Sequence, residues 1–173
     1  AILQAEEELI GSVAGEATEA VDADWLYRWR DLVGEVSRDE LQKLWGKLLA
    51  GEVRAPGRFS FRTLEFVRNL SIEDARLIEA VCPFVLDRAC VAKQTAILDA
   101  AGLTFSTLLT LEDLGFLRAV DGNLSTEFGG TESPETGYLY VLRNHNMGLV
   151  IRSPKVGQRP RVPCYILSAI GRQ

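Results

Sequence analysis

The stretch from residue 36 to residue 78 constrains the fold most, because it carries three helix starts and one clear helix stop. Ser37 and Glu40 have the spacing of a capping box, in which each residue satisfies a free backbone N–H of the first turn. The apolar residues that follow recur at helical spacing and predict one buried stripe: Leu41, Leu44, Trp45, Leu48 and Leu49. Gly51 stands where a left-handed residue would end this helix, and Pro56-Gly57 predicts the turn behind it.

Two more amphipathic helices are predicted in the same stretch. Ser60 is expected to cap one of them, and Ser71 with Asp74 three residues later is expected to cap the next. The side chains that the spacing turns inward are Phe61, Leu64, Val67, Ile72, Ala75, Ile78 and Val81. Pro83 lacks an N–H and clashes with the preceding turn, so the last helix is expected to end near Cys82. None of these helices can bury its stripe alone, so they are expected to pack together.

The residues before this stretch predict two further helices. Residues 2–21 carry a narrow apolar stripe of Leu9, Ile10, Val13 and Ala17. Asp22 or Asp24 is expected to cap the next helix, and its apolar face holds Trp25, Trp29, Leu32 and Val36. Because the linkers between these helices are short, we predict one helical bundle over residues 1–84. The chain begins at Ala1 without a methionine, which indicates a fragment or a processed product.

The residues after 84 predict helices first and strands later. Residues 85–101 are expected to form a helix that ends at Gly102, and residues 104–114 a helix that ends at Gly115, with Phe105, Leu108, Leu109 and Leu114 inward. Residues 116–120 predict a short strand, and residues 124–137 and 155–160 predict loops, the first of them mobile. Further strands are predicted at residues 138–142, 149–151 and 164–167, with a turn at 144–146 between the first two.

The order helix, helix, strand, hairpin, strand is that of a winged-helix unit. We therefore predict a mainly α fold with a small β part, in which a helical bundle over residues 1–84 precedes a winged-helix-like α+β unit over residues 85–173. The hairpin around residues 144–146 would be the wing. This is an analogy of topology, and a fold by itself does not determine a function.

One run of residues resembles a known family. It comprises Asp24-Trp25, Ser37 to Gln42, Leu44-Trp45, Leu48 to Glu52, Pro56 to Leu64 and Asn69 to Ser71. This pattern of cap, stripe, turn and cap, over about residues 23–80, is similar to a family of bacterial proteins known as domain of unknown function 2806 (DUF2806). The resemblance implies a bacterial, cytoplasmic protein and implies no activity, because the family offers no catalytic or binding residues to carry over. Tyr27-Arg28-Trp29 departs from the family pattern, in which an arginine followed by phenylalanine is more usual.

The charges are distributed unevenly along the chain. Residues 136–173 hold six basic residues and no acidic residue, which gives +6, and the remaining 13 basic against 24 acidic residues give −11. Two interpretations stay open. The basic segment either forms a surface for an acidic partner or folds back on the acidic helical part.

The sequence contains no recognisable catalytic constellation. The phosphate-binding and hydrolase motifs with fixed glycine spacing are missing, and no apolar run approaches the roughly 18–20 residues of a membrane span. Cys82, Cys90 and Cys164 form no C-x-x-C pair and are expected to be buried free thiols, and His145 is expected to be a solvated turn residue. Paired carboxylates such as Glu112/Asp113 lie at helix starts or on polar faces, which explains them without chemistry. We therefore predict no enzyme, no cofactor and no metal site.

The leading hypothesis is a non-catalytic protein-interaction or regulatory domain that has a protein partner or associates with itself. The alternative is a winged-helix regulator that binds nucleic acid through a basic wing. The candidate contacts for a partner or a phosphate are Arg143, Arg152, Lys155, Arg159 and Arg161. Residues 104–115, in the position of a recognition helix, carry Glu112 and Asp113 and no basic residue, and the isoelectric point is near 5.0, so the composition disfavours nucleic acid.

Overall fold

The fold is mixed α/β, and a computed structural model describes residues 1–10, 20–133, 137–144, 147–153 and 161–173. In those residues it contains seven α-helices and eight strands. The chain divides into two compact units, Ala1–Ala75 with Gln173, and Arg76–Arg172. The predicted domain boundary after residue 84 stays a prediction. Within the described ranges, none of the helices combines the length and apolar character that crossing a bilayer requires.

The first unit is helical. Its helices are α1 (Ile2–Ile10), α2 (Ala23–Val33), α3 (Asp39–Arg54), α4 (Phe61–Arg68) and the start of α5 (Ile72–Val81). The prediction of a helix over residues 2–21 is confirmed for residues 2–10, is wrong for residues 20 and 21, and otherwise lies outside the described residues. The side chain of Asp22 accepts from Trp25 N at 2.8 Å, so Asp22 rather than Asp24 caps α2.

Three tryptophans form the centre of this unit, as their spacing predicts. Trp25 and Trp29 lie one turn apart on the buried face of α2, and Trp45 on α3 is fully buried. Trp29 Nε1 donates to the carbonyl of Trp45 at 3.1 Å, which joins the two helices through a buried polar group. Alongside the tryptophans, the buried apolar side chains of this unit are Ala5, Leu32, Leu48, Ala50, Leu64, Val67 and Leu70.

The predicted capping box at Ser37 is wrong. α3 begins at Asp39, and its N-cap is Arg38, with no side-chain hydrogen bond at the cap. The first helical bond runs from Gln42 N to Arg38 O at 2.9 Å, and the Gln42 side chain donates to Val36 O at 3.0 Å. The chain before α3 is therefore held by a glutamine inside the helix and not by the serine before it.

The prediction that Gly51 ends α3 is also wrong, because the helix continues to Arg54. A Cβ at residue 51 would lie 2.7 Å from the Phe59 ring, so the glycine lets the chain after the helix pack against it. Gly46 is also buried, and a Cβ there would lie 2.8 Å from the carbonyl oxygen of Ala1. Gly51 therefore marks a close approach by a side-chain ring and Gly46 a close approach by backbone, and residue periodicity reveals neither.

The caps predicted for α4 and α5 are confirmed. The Ser60 side chain accepts from Thr63 N, and Ser71 and Asp74 exchange two hydrogen bonds of 3.0 Å. α5 ends at Val81, and a single 3₁₀ turn at Cys82–Phe84 contains Pro83, as expected. The prediction that Phe61 points inward is wrong, because the side chain is exposed and its ring contacts the guanidinium of Arg28, whose Cζ lies 5.1 Å from the ring centroid.

In the second unit, a hairpin follows the end of α5 and the 3₁₀ turn, where a helix was predicted. Residues 85–101 hold β1 (Val85–Leu86), β2 (Cys90–Ala92) and the short helix α6 (Thr95–Ala100). Asp87 and Arg88 adopt positive φ and turn the chain between the two strands. β2 is a strand because it pairs with β8 near the other end of the chain, a contact that local spacing cannot show. Gly102 and Gly115, with φ of +78° and +80°, follow α6 and α7 (Phe105–Asp113) as predicted.

The strands of this unit form two antiparallel sheets. The first has the order β1-β2-β8-β3, with β3 (Leu117–Arg118) and β4 (Ser125–Glu127) both paired with β8 (Arg161–Leu167). The second has the order β5-β6-β7, from β5 (Gly130–Ser133), β6 (Gly137–Asn144) and β7 (Met147–Ser153). The strands predicted over residues 138–142, 149–151 and 164–167 are confirmed, and the mobile loop predicted over residues 124–137 is wrong where β4 and β5 form.

Candidate functional site

Three of the five predicted contact residues lie on described strands, and these strands belong to two sheets. Arg143 lies on β6 and Arg152 on β7, and both are exposed. Arg161 lies on β8 in the other sheet, and its Nε contacts Glu127 Oε1 at 3.1 Å. Lys155 and Arg159 lie outside the described residues, as does His145 with the predicted turn. The structure therefore brings two of the five candidates onto one hairpin and pairs a third with a carboxylate.

One face of the β6–β7 hairpin combines apolar and basic side chains. In its register Val141 is opposite Val150, Arg143 is opposite Gly148, and Arg152 is opposite Leu139. Residues opposite each other in an antiparallel pair share a face of the sheet. We call these six residues the hairpin face. Val141 is 44% exposed and Val150 is 55% exposed, so an apolar pair lies in solvent between two arginines.

The other face of the hairpin attaches it to the rest of the unit. Tyr140 and Leu142 point to that face and are buried. Leu142 packs in a cluster with Cys90, Phe128 and Cys164 from the larger sheet and its flanking chain. Because alternate residues of a strand point to opposite faces, burial of Tyr140 and Leu142 places Val141 and Arg143 in solvent.

Asp87, in the turn between β1 and β2, holds β6 beside Arg143. Its backbone N–H donates to Arg143 O at 2.7 Å, and Arg143 N donates to Asp87 Oδ1 at 3.0 Å. The side chain of Asn144 also donates to Pro83 O. Three hydrogen bonds therefore join the strand end that carries Arg143 to the chain around β1.

The helix in the recognition position is not basic. α7 is capped by Thr104, which accepts from Thr107 N, and it buries Leu108 and Leu111. Phe105, which was predicted to point inward, is exposed. Glu112 accepts from Val120 N at 3.3 Å, so that carboxylate holds the strand after the helix. The outer surface of α7 therefore offers an aromatic ring and hydroxyls and no cation.

The thiols differ in accessibility. Cys90 and Cys164 are buried as expected, but Cys82 is exposed, so the expectation of burial is wrong for Cys82. Cys90 and Cys164 lie on the paired strands β2 and β8, where Cys90 is opposite Ile166 and Cys164 is opposite Ala92. Burial, and after it the neighbouring Cys164, raise the pKa of the Cys90 thiol from 9.0 to about 12. Such a thiol stays protonated and is a poor nucleophile near neutral pH.

This shift predicts slow alkylation of Cys90 and a loss of stability at alkaline pH. At pH 9 iodoacetamide is expected to modify Cys90 several hundredfold more slowly in the folded chain than in urea, because only the thiolate reacts and about half of the unfolded thiols are ionised at this pH. The folded state keeps the proton that the unfolded state releases, so this contribution to stability is complete below pH 9.0 and is lost as the pH rises towards about 12. Mass spectrometry of the Cys90 peptide, with and without urea, measures the ratio. Equal rates in the two conditions would contradict the burial of this thiol.

The residues that the sequence analysis missed here are apolar or small. Val141 and Val150 were predicted as parts of strands, but nothing local showed that this face is left uncovered. The alternation of side chains along β6 is the only sequence signal that places Tyr140 and Leu142 on one face of the strand and Val141 and Arg143 on the other. Among the described residues, no group of three or more histidine, cysteine or carboxylate side chains is placed to hold a metal ion.

Comparison with known proteins gives one match. The family model described as "Protein of unknown function (DUF2806)" matches residues 3–173. No curated protein and no solved structure matches the chain.

Proposed function

The chain belongs to the DUF2806 family, whose function is unknown, and we propose that it is a non-catalytic protein-interaction or regulatory domain that binds through the hairpin face. The observation that carries the proposal is the pair Val141 and Val150, exposed and in register between Arg143 and Arg152. Protein interfaces combine an apolar centre with a polar rim, and arginine is enriched in them. A bacterial, cytoplasmic setting is part of the proposal, as the family resemblance implies.

The charges on and around this face favour an acidic partner surface. Residues 136–173 contain no acidic residue, and both β6 and β7 lie within this range. Arginine pairs with carboxylates through two parallel hydrogen bonds, which adds geometric specificity to charge attraction. A partner that places an apolar side chain against the two valines and carboxylates beside Arg143 and Arg152 would satisfy the whole face.

The second candidate function is nucleic-acid binding by a winged helix. The strand order β2-β8-β3, with α6 and α7 between β2 and β3, is the order that winged-helix domains use. β5, β6 and β7 lie between β3 and β8 in the chain, in the position of the wing. This topology supports the second candidate, whereas the absence of lysine and arginine from α7 weighs against it.

A binding experiment with matched variants tests the leading proposal. Proteins captured by the 173-residue chain from a bacterial lysate would be identified, purified and titrated against it. We expect Val141→Glu, and separately the double variant Arg143→Glu/Arg152→Glu, to weaken binding by about tenfold or more, because each removes a central contact of the face. Ile97→Glu is the matched control, since Ile97 is also an exposed apolar residue of the second unit but lies on α6.

The same variants separate the two candidates. The winged-helix hypothesis predicts binding to duplex DNA that weakens steeply as the salt concentration rises. It also predicts that this binding is lost in the Arg143→Glu/Arg152→Glu variant and kept in Val141→Glu. Equal loss in the Ile97→Glu control would contradict the hairpin face as the binding surface. Turnover of a nucleotide, peptide or ester by the pure chain would contradict both candidates.

A further inference from the structure

The outer edge of β7 is not paired with any strand among the residues that the structure describes, and β6 pairs with its other edge. The strand is seven residues long, contains no proline and no lysine, and has Arg152 as its single charged residue. Natural proteins usually guard such an edge with prolines, lysines, bulges or a very short strand, because its free N–H and C=O groups accept a further strand.

The edge is complementary to itself. If a second copy of β7 lies antiparallel to the first about a two-fold axis at Val150, all seven residues find an opposite residue. Val150 then faces Val150 of the second copy, and Gly148 faces Arg152 of the second copy. Moving the register so that the axis passes through residue 152 would set two arginines directly opposite each other, which is unfavourable. The register centred on Val150 is therefore both the longest and the one without a direct clash of like charges.

Neither the backbone conformation nor the packing of a single copy requires a glycine at residue 148. Its φ is outside the left-handed region, and a Cβ added there would meet nothing within 4 Å. A glycine inside a strand weakens it, because it has no side chain to pack and loses more conformational freedom on folding. In the paired arrangement the missing side chain leaves room for Arg152 of the second copy. The glycine is explained by the pairing and not by the packing of the single chain.

From the register, the unguarded edge and Gly148, we infer that two copies of this chain pair through β7 and join their three-stranded sheets into one six-stranded sheet. The inference goes beyond the proposed function, because the two copies meet at the outer edge of β7 and the hairpin face stays open to a different partner. Val141 and Val150 of the two copies form one continuous apolar row across four strands, since each pair is already in register. An interface of one strand pair is small, so the dimer forms reversibly and depends on concentration.

Sedimentation equilibrium of the 173-residue chain tests this pairing. The mass is expected to rise with concentration from 19.1 kDa towards twice that value. Val150→Lys sets two ammonium groups opposite each other at the axis, so this variant is expected to stay monomeric. Val141→Lys is the matched control, because it makes the same change at an exposed position of the same face one strand further in, and it is expected to dimerise.

Two further variants test the register itself. Gly148→Leu fills the space that Arg152 of the second copy would occupy and is expected to raise the dissociation constant of the dimer about tenfold. In a Cys82→Ser background, which removes the exposed native thiol, Val150→Cys is expected to form a disulfide-linked dimer with oxidised glutathione. Val141→Cys in the same background is expected to stay unlinked. The two cysteine variants also report on pairing if a charged variant fails to fold.

The outcomes separate this inference from the proposed function. A wild-type chain that stays monomeric at every concentration overturns the pairing and leaves the hairpin face available to a different protein. Loss of the dimer in both Val150→Lys and Val141→Lys means contact face to face, which also overturns edge pairing but keeps the hairpin face as the binding surface. A dimer that neither variant weakens overturns the pairing and counts against the hairpin face as well.

Discussion

Replacement of Trp45 by alanine is expected to lower the free energy of unfolding of the first unit by about 3–5 kcal/mol. Trp45 is 0% exposed and is the largest fully buried side chain among the described residues. Truncation removes its transfer free energy and leaves a cavity between α2 and α3 that the helices can fill only in part. The hydrogen bond from Trp29 Nε1 to the Trp45 carbonyl involves backbone at residue 45 and survives the change.

Urea unfolding followed by tryptophan fluorescence measures this loss. All three tryptophans belong to the first unit, so Trp25 and Trp29 still report on that unit alone in the variant. Tyr27→Ala is the matched control, because it truncates an aromatic residue that is exposed on α2, and a change within about 0.5 kcal/mol is expected. A Trp45→Ala variant as stable as the wild type would contradict a core built on the three tryptophans.

Replacement of Glu52 by glutamine is expected to cost the same unit about 2–4 kcal/mol, although the two side chains have nearly the same shape. Glu52 is 1% exposed, and its two carboxylate oxygens accept from Gly57 N at 2.6 Å and from Phe59 N at 2.8 Å. A glutamine can accept only one of these bonds, and its amide N–H groups would face the other N–H. Hydrogen bonds to charged groups are worth more than neutral ones, and a buried donor left alone carries a desolvation cost.

The control for this variant is Glu7→Gln on α1, where the side chain is exposed and the same loss of charge should change stability by less than about 0.5 kcal/mol. The measurement is again the urea midpoint by tryptophan fluorescence. We also expect faster amide exchange at Gly57 and Phe59 in Glu52→Gln than in the wild type. Unchanged exchange at these two amides would show that Glu52 does not hold the turn.

The burial of Glu52 could have been predicted from the spacing of residues in α3. It lies seven residues after Trp45, on the same stripe of α3 as the leucines, so helical periodicity alone places it inward. A carboxylate on a buried stripe indicates that donors converge on it, and the turn at residues 56–57 supplies them. The spacing does not predict the partners of Glu52, because Gly51 predicts a helix end one residue before it.

The candidate site was predictable in part. The hairpin of β6 and β7 follows from two alternating runs around a polar turn, and the charge of Arg143 and Arg152 is visible in the composition of the last 38 residues. Their position beside Val141 and Val150 depends on register, and a slip of one residue would have turned these side chains to the other face. Burial of Leu142 against Cys90, Phe128 and Cys164 selects the observed face, and these residues come from three distant parts of the chain.

The sequence by itself determined the features that depend on near neighbours. The caps at Asp22, Ser60, Ser71 and Thr104, the glycines after α6 and α7, and the inward face of the tryptophans all arise from contacts within three or four residues, which a linear pattern records. Only the tertiary structure decided that residues 85–92 form strands, that β4 and β5 replace a loop, and that one face of the hairpin is left in solvent. The physical reason is that a strand acquires its hydrogen bonds from another strand, so β2 is defined by β8, and no local preference carries that information.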